Sequence, residues 1–141
     1  MKPRLAKILS HRMAQIKIYG CAGFLRVNRA ALSDAIHSCV MDVLGLPAEK
    51  RAHRFLSLEA ADFIRPADRS EHYTIVEISM FEGRSVETKK QLIRALFTRL
   101  AERNLVGPQD LEITITETPR HNWGIRGLPG DELVLNYKVE K

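Results

Sequence analysis

Residues 74–117 constrain the fold more than any other part of the chain. They read strand, turn, long helix, strand. Val76, Ile78 and Met80 fall on one face of the first segment, and Tyr73, Ile75, Glu77 and Ser79 on the other. Glu82-Gly83 breaks that strand, and Ser85 is suited to cap a following helix. Glu87 then lies in the first turn, where a negative charge complements the helix dipole. Leu92, Ile93, Leu96, Phe97 and Leu100 recur at helical spacing and form one apolar stripe. Gly107-Pro108 ends the segment. Leu111, Ile113 and Ile115 alternate with Glu112, Thr114 and Thr116, the pattern of a strand with one apolar face. Two strands joined by a helix of this length predict a parallel βαβ unit with a right-handed crossover.

The first half repeats the pattern. Ile16 and Ile18 alternate with Gln15, Lys17 and Tyr19 in a strand that begins at Ala14. Residues 20–27 read as a loop, with Asn28 as N-cap. Leu32, Ile36, Cys39, Val40 and Val43 form a helical stripe, Gly45 supplies the C′ residue, and Pro47 prevents continuation. Residues 53–58 make a weaker second strand. The expected organisation is therefore a basic extension over 1–13 and one domain over 14–141. That domain divides into a βαβ unit at 14–58, a polar linker at 59–72, a second βαβ unit at 73–117, and a C-terminal arm at 118–141. Leu133, Val134, Leu135 and Tyr137 make a short, mostly apolar run that reads as a terminal strand or arm. Four strands and two helices predict an α+β fold: one four-stranded sheet with both helices on one face. The opposite face mixes apolar and charged groups and calls for association.

Composition excludes several classes. Hydrophobic residues make up 45% of the 141, too many for a disordered chain. No apolar run reaches the roughly 18 residues of a membrane helix. Cys21 and Cys39 form no CxxC pair and have no matching His spacing, so free thiols in a reducing cytoplasm are expected rather than a structural metal site. The net charge of +5 is scattered, with no RNP or helix-turn-helix pattern. A pocket for a small anion fits that charge better than nucleic acid does.

The second half also carries a resemblance. Glu82-Gly83-Arg84-Ser85 at a strand end, Glu117 at the next, and Asn122-Trp123-Gly124-Ile125-Arg126-Gly127 after it resemble the tautomerase superfamily. The doubled unit is similar to its long members, near malonate semialdehyde decarboxylase. The resemblance implies a tautomerase/MIF-like fold and a homotrimer. It also implies cofactor-free proton transfer on small keto or enol carboxylates, with an amino-terminal proline as base or acid. The matching position is Ala14, after Met13, so an amine exists there only if the chain begins at Ala14. Met13 would make a sensible start. By the same resemblance Arg84 binds a substrate carboxylate, Trp123 lines the pocket, and Arg126 faces the pocket or a neighbouring subunit. Residue by residue, each has a plainer reading: Arg84 as a surface cation at a helix start, Trp123 as a packing anchor. Phe81 and Glu82 stand where some members carry a second arginine, and Lys50 where the decarboxylases carry an acid. His37 reads as a packing residue. His53 and His72 have no evident partner, and Glu112 and Glu117 read as isolated carboxylates. The rival expectation is a non-catalytic protein that kept the fold and binds a small anion or serves in an assembly.

Overall fold

The computed structural model describes residues 13–135. The principal elements are β1 (Ala14–Cys21), α1 (Ala22–Leu44), β2 (His53–Leu58), β3 (Thr74–Phe81), α2 (Val86–Glu102) and β4 (Leu111–Thr118). A small two-stranded ribbon, β5 (Gly124–Ile125) and β6 (Leu128–Pro129), precedes a short helix, α3 (Gly130–Leu135). The main sheet has the order β2-β1-β3-β4. β1 is parallel to β2, β3 is parallel to β4, and the central pair β1–β3 is antiparallel. Two βαβ units thus meet along their first strands, as a pseudo-twofold requires.

Both long helices cover one face. Leu32, Ile36, Cys39 and Val40 of α1 and Leu92, Leu96 and Leu100 of α2 are buried with Ile16, Ile18, Val76, Ile78 and Met80 of the strands. The helices also touch each other: the Cys39 thiol meets the Ala95 carbonyl at 3.5 Å, and Arg99 reaches Ser38 and Asp42. The inward alternation seen in the sequence is the one observed, since residues 74, 76, 78 and 80 of β3 are buried and 75, 77 and 79 half-buried. On the opposite face Tyr19 donates to Glu77 at 2.7 Å, across the β1–β3 pair. That bond, together with burial and the nearby carboxylate charge, raises the Tyr19 pKa.

Local signals account for most boundaries. The Ser85 hydroxyl accepts from the Thr88 amide at 3.0 Å and caps α2. Gly45 adopts φ 73° and its amide closes on the Met41 carbonyl at 3.0 Å, ending α1. The linker is pinned by Phe63, buried against Tyr73 with ring centroids 5.2 Å apart.

Three expectations are corrected. Residues 20–27 are not a loop and Asn28 is not a cap. α1 starts at Ala22, and the Asn28 amide donates to the Phe24 carbonyl one turn earlier. The reason is Gly20: with no side chain there, Leu25 packs onto its backbone, where a Cβ would lie 3.0 Å from the Leu25 side chain. Burying Leu25 completely favours an early helix start over a loop. α2 ends at Glu102, ahead of Gly107, because Asn104 takes a left-handed φ of 55° and the Leu105 amide folds back to the Leu100 carbonyl at 2.9 Å. The expected terminal strand is helical over Gly130–Leu135, with Leu133 buried and Asp131 and Glu132 in the first turn. Tyr137 lies outside the described residues.

Candidate active site

Strand register sets where the expected site residues meet. Ala14 opens β1 opposite Met80, and Met80 lies opposite Glu117 of β4. The Met13 carbonyl accepts from the Phe81 amide at 3.4 Å, and the Thr118 carbonyl from the Glu82 amide at 3.1 Å. The start of β1 and the ends of β3 and β4 therefore share one end of the sheet. This follows from an antiparallel centre flanked by parallel pairs.

Ala14 is buried, its methyl part of the core. Its nitrogen is the peptide amide to Met13 and carries no base. A cavity of about 210 Å³ opens beside it, lined by Met13, Ala14, Leu46, Glu49, Lys50, Arg51 and Ala52. The 45–52 loop forms its far wall through a turn closed by the Lys50 amide on the Pro47 carbonyl at 3.0 Å. The Ala52 carbonyl accepts from the Ile16 amide at 3.0 Å and ties that loop to β1.

Arg84 lies at the same end, but its guanidinium has a structural partner. One N–H donates to the Leu44 carbonyl at 3.1 Å, at the C-terminus of α1. A cation at the start of α2 opposes that helix's dipole. Reaching the last turn of α1 instead places the charge where a dipole favours it. The Arg84 backbone amide donates to Glu117 at 3.3 Å, and the other Glu117 oxygen takes Lys89 at 2.7 Å. Glu117 is thus no isolated carboxylate: it fastens the 82–85 turn to the end of β4. Glu112 is not isolated either. It accepts from the Tyr73 hydroxyl at 2.6 Å and pairs with Arg69 at 3.0 Å. These partners, Tyr73 first and then Arg69, hold its carboxyl below the usual range, while burial and that same bond push the Tyr73 hydroxyl up to about 12.

Trp123 packs edge-on against Phe81, the last residue of β3, with centroids 5.1 Å apart. Its indole N–H is buried and has no hydrogen-bond partner among the described residues. A broad groove of about 410 Å³ runs along the ribbon past His121, Trp123 and Leu128. Arg126 occupies the β5–β6 turn, exposed, with φ 50°, followed by Gly127 at φ 86°. Two consecutive positive φ values suit a two-residue hairpin. The wall of the cavity beside Ala14 includes none of Arg84, Trp123 and Arg126. The chain brings Ala14 and Arg84 to one sheet end, and neither the cavity beside Ala14 nor the groove beside Trp123 is lined by Arg84.

Of the described histidines, His37 and His53 are packed, whereas His72 and His121 are exposed. His37 is buried, with its Nε2 2.9 Å from the Ala48 carbonyl. The His53 Nδ1 lies 2.8 Å from the Ser33 hydroxyl, and burial, helped by His37 and Arg51, lowers its pKa to about 4. His72 stacks on Phe24 at 4.6 Å. It borders a larger cavity of about 630 Å³ shared with Cys21, Asn28, Arg65 and Glu71. That cavity sits at the far end of β1, about 23 Å from Ala14 by strand rise. Its size does not make it the expected site, because Ala14 and Arg84 are at the other end. Among the described residues no group of three His, Cys, Asp or Glu is placed to hold a metal, and no helix is long and apolar enough to cross a membrane. Sequence reasoning missed Glu49 and Arg51 as cavity walls, and Lys50 was marked only as a departure from the decarboxylases. No motif signals them, since the 45–52 loop reaches Ala14 through tertiary folding alone.

Comparison with known proteins bears on the family and the fold. Residues 50–126, more than half of the chain, match the model of a family described as tautomerase enzyme. A 2-hydroxymuconate tautomerase of Comamonas testosteroni is 37% identical over 57 residues, which are 40% of this chain and 90% of that protein. Its namesake in Pseudomonas putida is 35% identical over 57 residues, with the same coverage. Among solved structures, FG41 malonate semialdehyde decarboxylase inhibited by 3-bromopropiolate aligns with a TM-score of 0.75 and 28% identity, covering 86% of this chain and 96% of that one. A fused 4-OT described as an asymmetric trimer aligns with a TM-score of 0.74 over 84% of this chain and 98% of that one. At 21% identity it speaks for the fold alone. With its paired βαβ units, its Glu-Gly-Arg-Ser turn closing β3 and its matched residues, this chain belongs to the tautomerase superfamily.

Proposed function

We propose that this chain performs cofactor-free proton transfer on small keto or enol carboxylates, weakly or in altered form, at the sheet end where Ala14 begins β1. The observation that carries the reading is the small cavity beside Ala14, where the start of β1 meets the end of β3. In this reading Ala14 occupies the place of the catalytic amine. Arg84 contributes a guanidinium whose planar fork suits a carboxylate. Trp123 excludes water, and Arg126 reaches the substrate or an adjacent subunit. The fused 4-OT trimers support a homotrimer here, which would cover the mixed outer sheet face and bring hairpin residues from other copies to each site.

A second reading is favoured by two specific observations. The Ala14 nitrogen is an amide, and an Arg84 N–H is already bound to the Leu44 carbonyl. Both fit a protein that retains the fold and binds a small anion without turning it over.

One ketonisation assay separates the two. The full chain, a chain beginning at Ala14, and that shortened chain with Ala14→Pro are compared on 2-hydroxymuconate and phenylenolpyruvate. The expected order is negligible, weak, and faster by about 10²-fold, the lower range of what a positioned base supplies. A full chain as fast as the shortened proline variant would place the base elsewhere. Three inactive proteins would leave the binding reading. Light scattering tests the trimer, and a mass of 16.0 kDa at micromolar concentration would refute it.

A further inference from the structure

We infer that Lys50 is the carboxylate-anchoring residue of the cavity beside Ala14, and that the ligand is a monocarboxylate of about three to five carbons. This deepens the reading above by reassigning the anchor, and it holds whether or not the bound acid is turned over. Lys50 is half-buried in the cavity wall. Among the described residues its ammonium makes no ion pair and no side-chain hydrogen bond, whereas Lys89, Arg51, Arg69 and Arg99 are all paired. A half-buried cation with no counter-ion loses part of its hydration and gains nothing back, so it favours an anion beside it. Met13, Ala14, Leu46 and Ala52 supply apolar wall on which a short carbon chain can lie.

The other charges near the cavity are committed or unsuited. Arg51 is drawn toward α1 by Asp34 at 2.7 Å and Ser33 at 3.3 Å. An Arg84 N–H is bound to the Leu44 carbonyl, and Arg84 does not line the cavity. Glu49 is exposed and forms no pair with Lys50, although one turn holds both. A wall with one uncommitted cation and one acid favours one carboxylate over two. At about 210 Å³ the space is smaller than the 300–1,000 Å³ common for drug-sized ligands, which limits the occupant to a few carbons.

The test is titration calorimetry on the full chain with propionate, pyruvate and malonate, using propionamide as the uncharged control. Wild type is expected to bind propionate and pyruvate, malonate more weakly, and propionamide not at all. Lys50→Met should weaken propionate binding at least tenfold, the loss expected for one charge-assisted hydrogen bond. Lys50→Arg should retain most of the affinity. Circular dichroism confirms that each variant is folded, and the arginine variant keeps the test decisive if the methionine variant is not. Unchanged affinity in Lys50→Met, or no propionate binding by wild type, would overturn the assignment. Propionate bound through Lys50 by a protein inactive in every ketonisation assay would sink the catalytic reading and leave this one standing.

Discussion

If Arg84 closes the C-terminus of α1, removing its charge must destabilise the fold whatever it does to ligands. The guanidinium donates to the Leu44 carbonyl at 3.1 Å and is half-buried. A hydrogen bond from a charged donor contributes about 1.5–3 kcal/mol, and a cation at a helix C-terminus about 0.3–1 kcal/mol. Partial exposure and competition from water put the sum for Arg84→Met near 1.5 kcal/mol. Methionine is the useful replacement because it keeps an unbranched aliphatic stem and removes the charge. Arg84→Lys restores the charge but not the fixed fork and should recover about half of the loss. Urea unfolding at one protein concentration is the assay, since association would make the midpoint concentration-dependent. With a slope of about 1.5 kcal/mol per molar, the methionine variant should lose about 1 M at the midpoint and the lysine variant about 0.5 M. Midpoints within about 0.2 M of wild type for both variants, at unchanged slope, would show that the Leu44 contact carries no stability.

Three further outcomes follow from the geometry. His53 should make stability rise with pH between about 4 and 6.5: its folded pKa is depressed, so the unfolded chain binds the proton first, and the contribution is complete above 6.5 and lost as pH falls toward 4. For a partly exposed ring this is about 1–2 kcal/mol, and His53→Gln should flatten that part of the profile in urea melts at stepped pH. Gly130→Ala would set a Cβ 2.5 Å from the Arg120 carbonyl and 3.1 Å from the Trp123 Cβ, so thermal unfolding should register a loss of about 1–3 kcal/mol together with a change in Trp123 fluorescence. Ser85→Ala removes the cap on the Thr88 amide and should cost about 1 kcal/mol in urea, with Ser85→Asp close to wild type.

The second half of the chain was legible because its signals are local and agree with one another. Alternation in 74–81 and 111–118, the 92–96–100 stripe and the Ser85 cap all point to one unit, and the structure realises each of them. The first half hid the opening of α1, where residues 20–27 read as a loop. Gly20 is there for a tertiary reason, the approach of Leu25 to its backbone, which no local pattern displays. Leu25 lies seven residues before Leu32, so the helical period was present and was overruled by turn-like composition. Residues 130–135 failed differently. A short apolar run cannot tell strand from helix, and the Gly130 amide on the Trp123 carbonyl at 2.7 Å fixes the start of the helix through a contact outside the segment. At the site, Ala14 and Arg84 are linked in the sequence only by the family resemblance, and the strand register puts them at one end. The partners of Glu117 and the approach of Lys50 depend on side-chain reach and on a loop 36 residues further along, to which sequence periodicity is blind.

The pseudo-twofold gives the sheet two equivalent ends, each with one strand beginning beside another strand's finish, and they are furnished very differently. Where β3 begins, next to the end of β1, polar groups are largely satisfied by one another. Thr74 donates to the His72 carbonyl at 2.8 Å, Ser70 binds Asp110 through both its hydroxyl and its amide, and Tyr73, Glu112 and Arg69 close a three-residue chain. Those bonds hold the linker to the sheet, and the cavity of about 630 Å³ opens beside them. Where β1 begins, the strand opens with alanine, and the wall opposite carries a lysine with no counter-ion among the described residues. The neighbouring α2 start is already closed by Ser85, with Glu87 in its first turn and Glu117 on the Arg84 amide. Space is present at both ends, and the charges that line it differ: Arg65 and Glu71 beside the larger cavity where β3 begins, Glu49, Lys50 and Arg51 beside the smaller one at Ala14. A symmetric backbone thus carries two differently lined cavities, because the side chains at its equivalent ends differ in charge and reach.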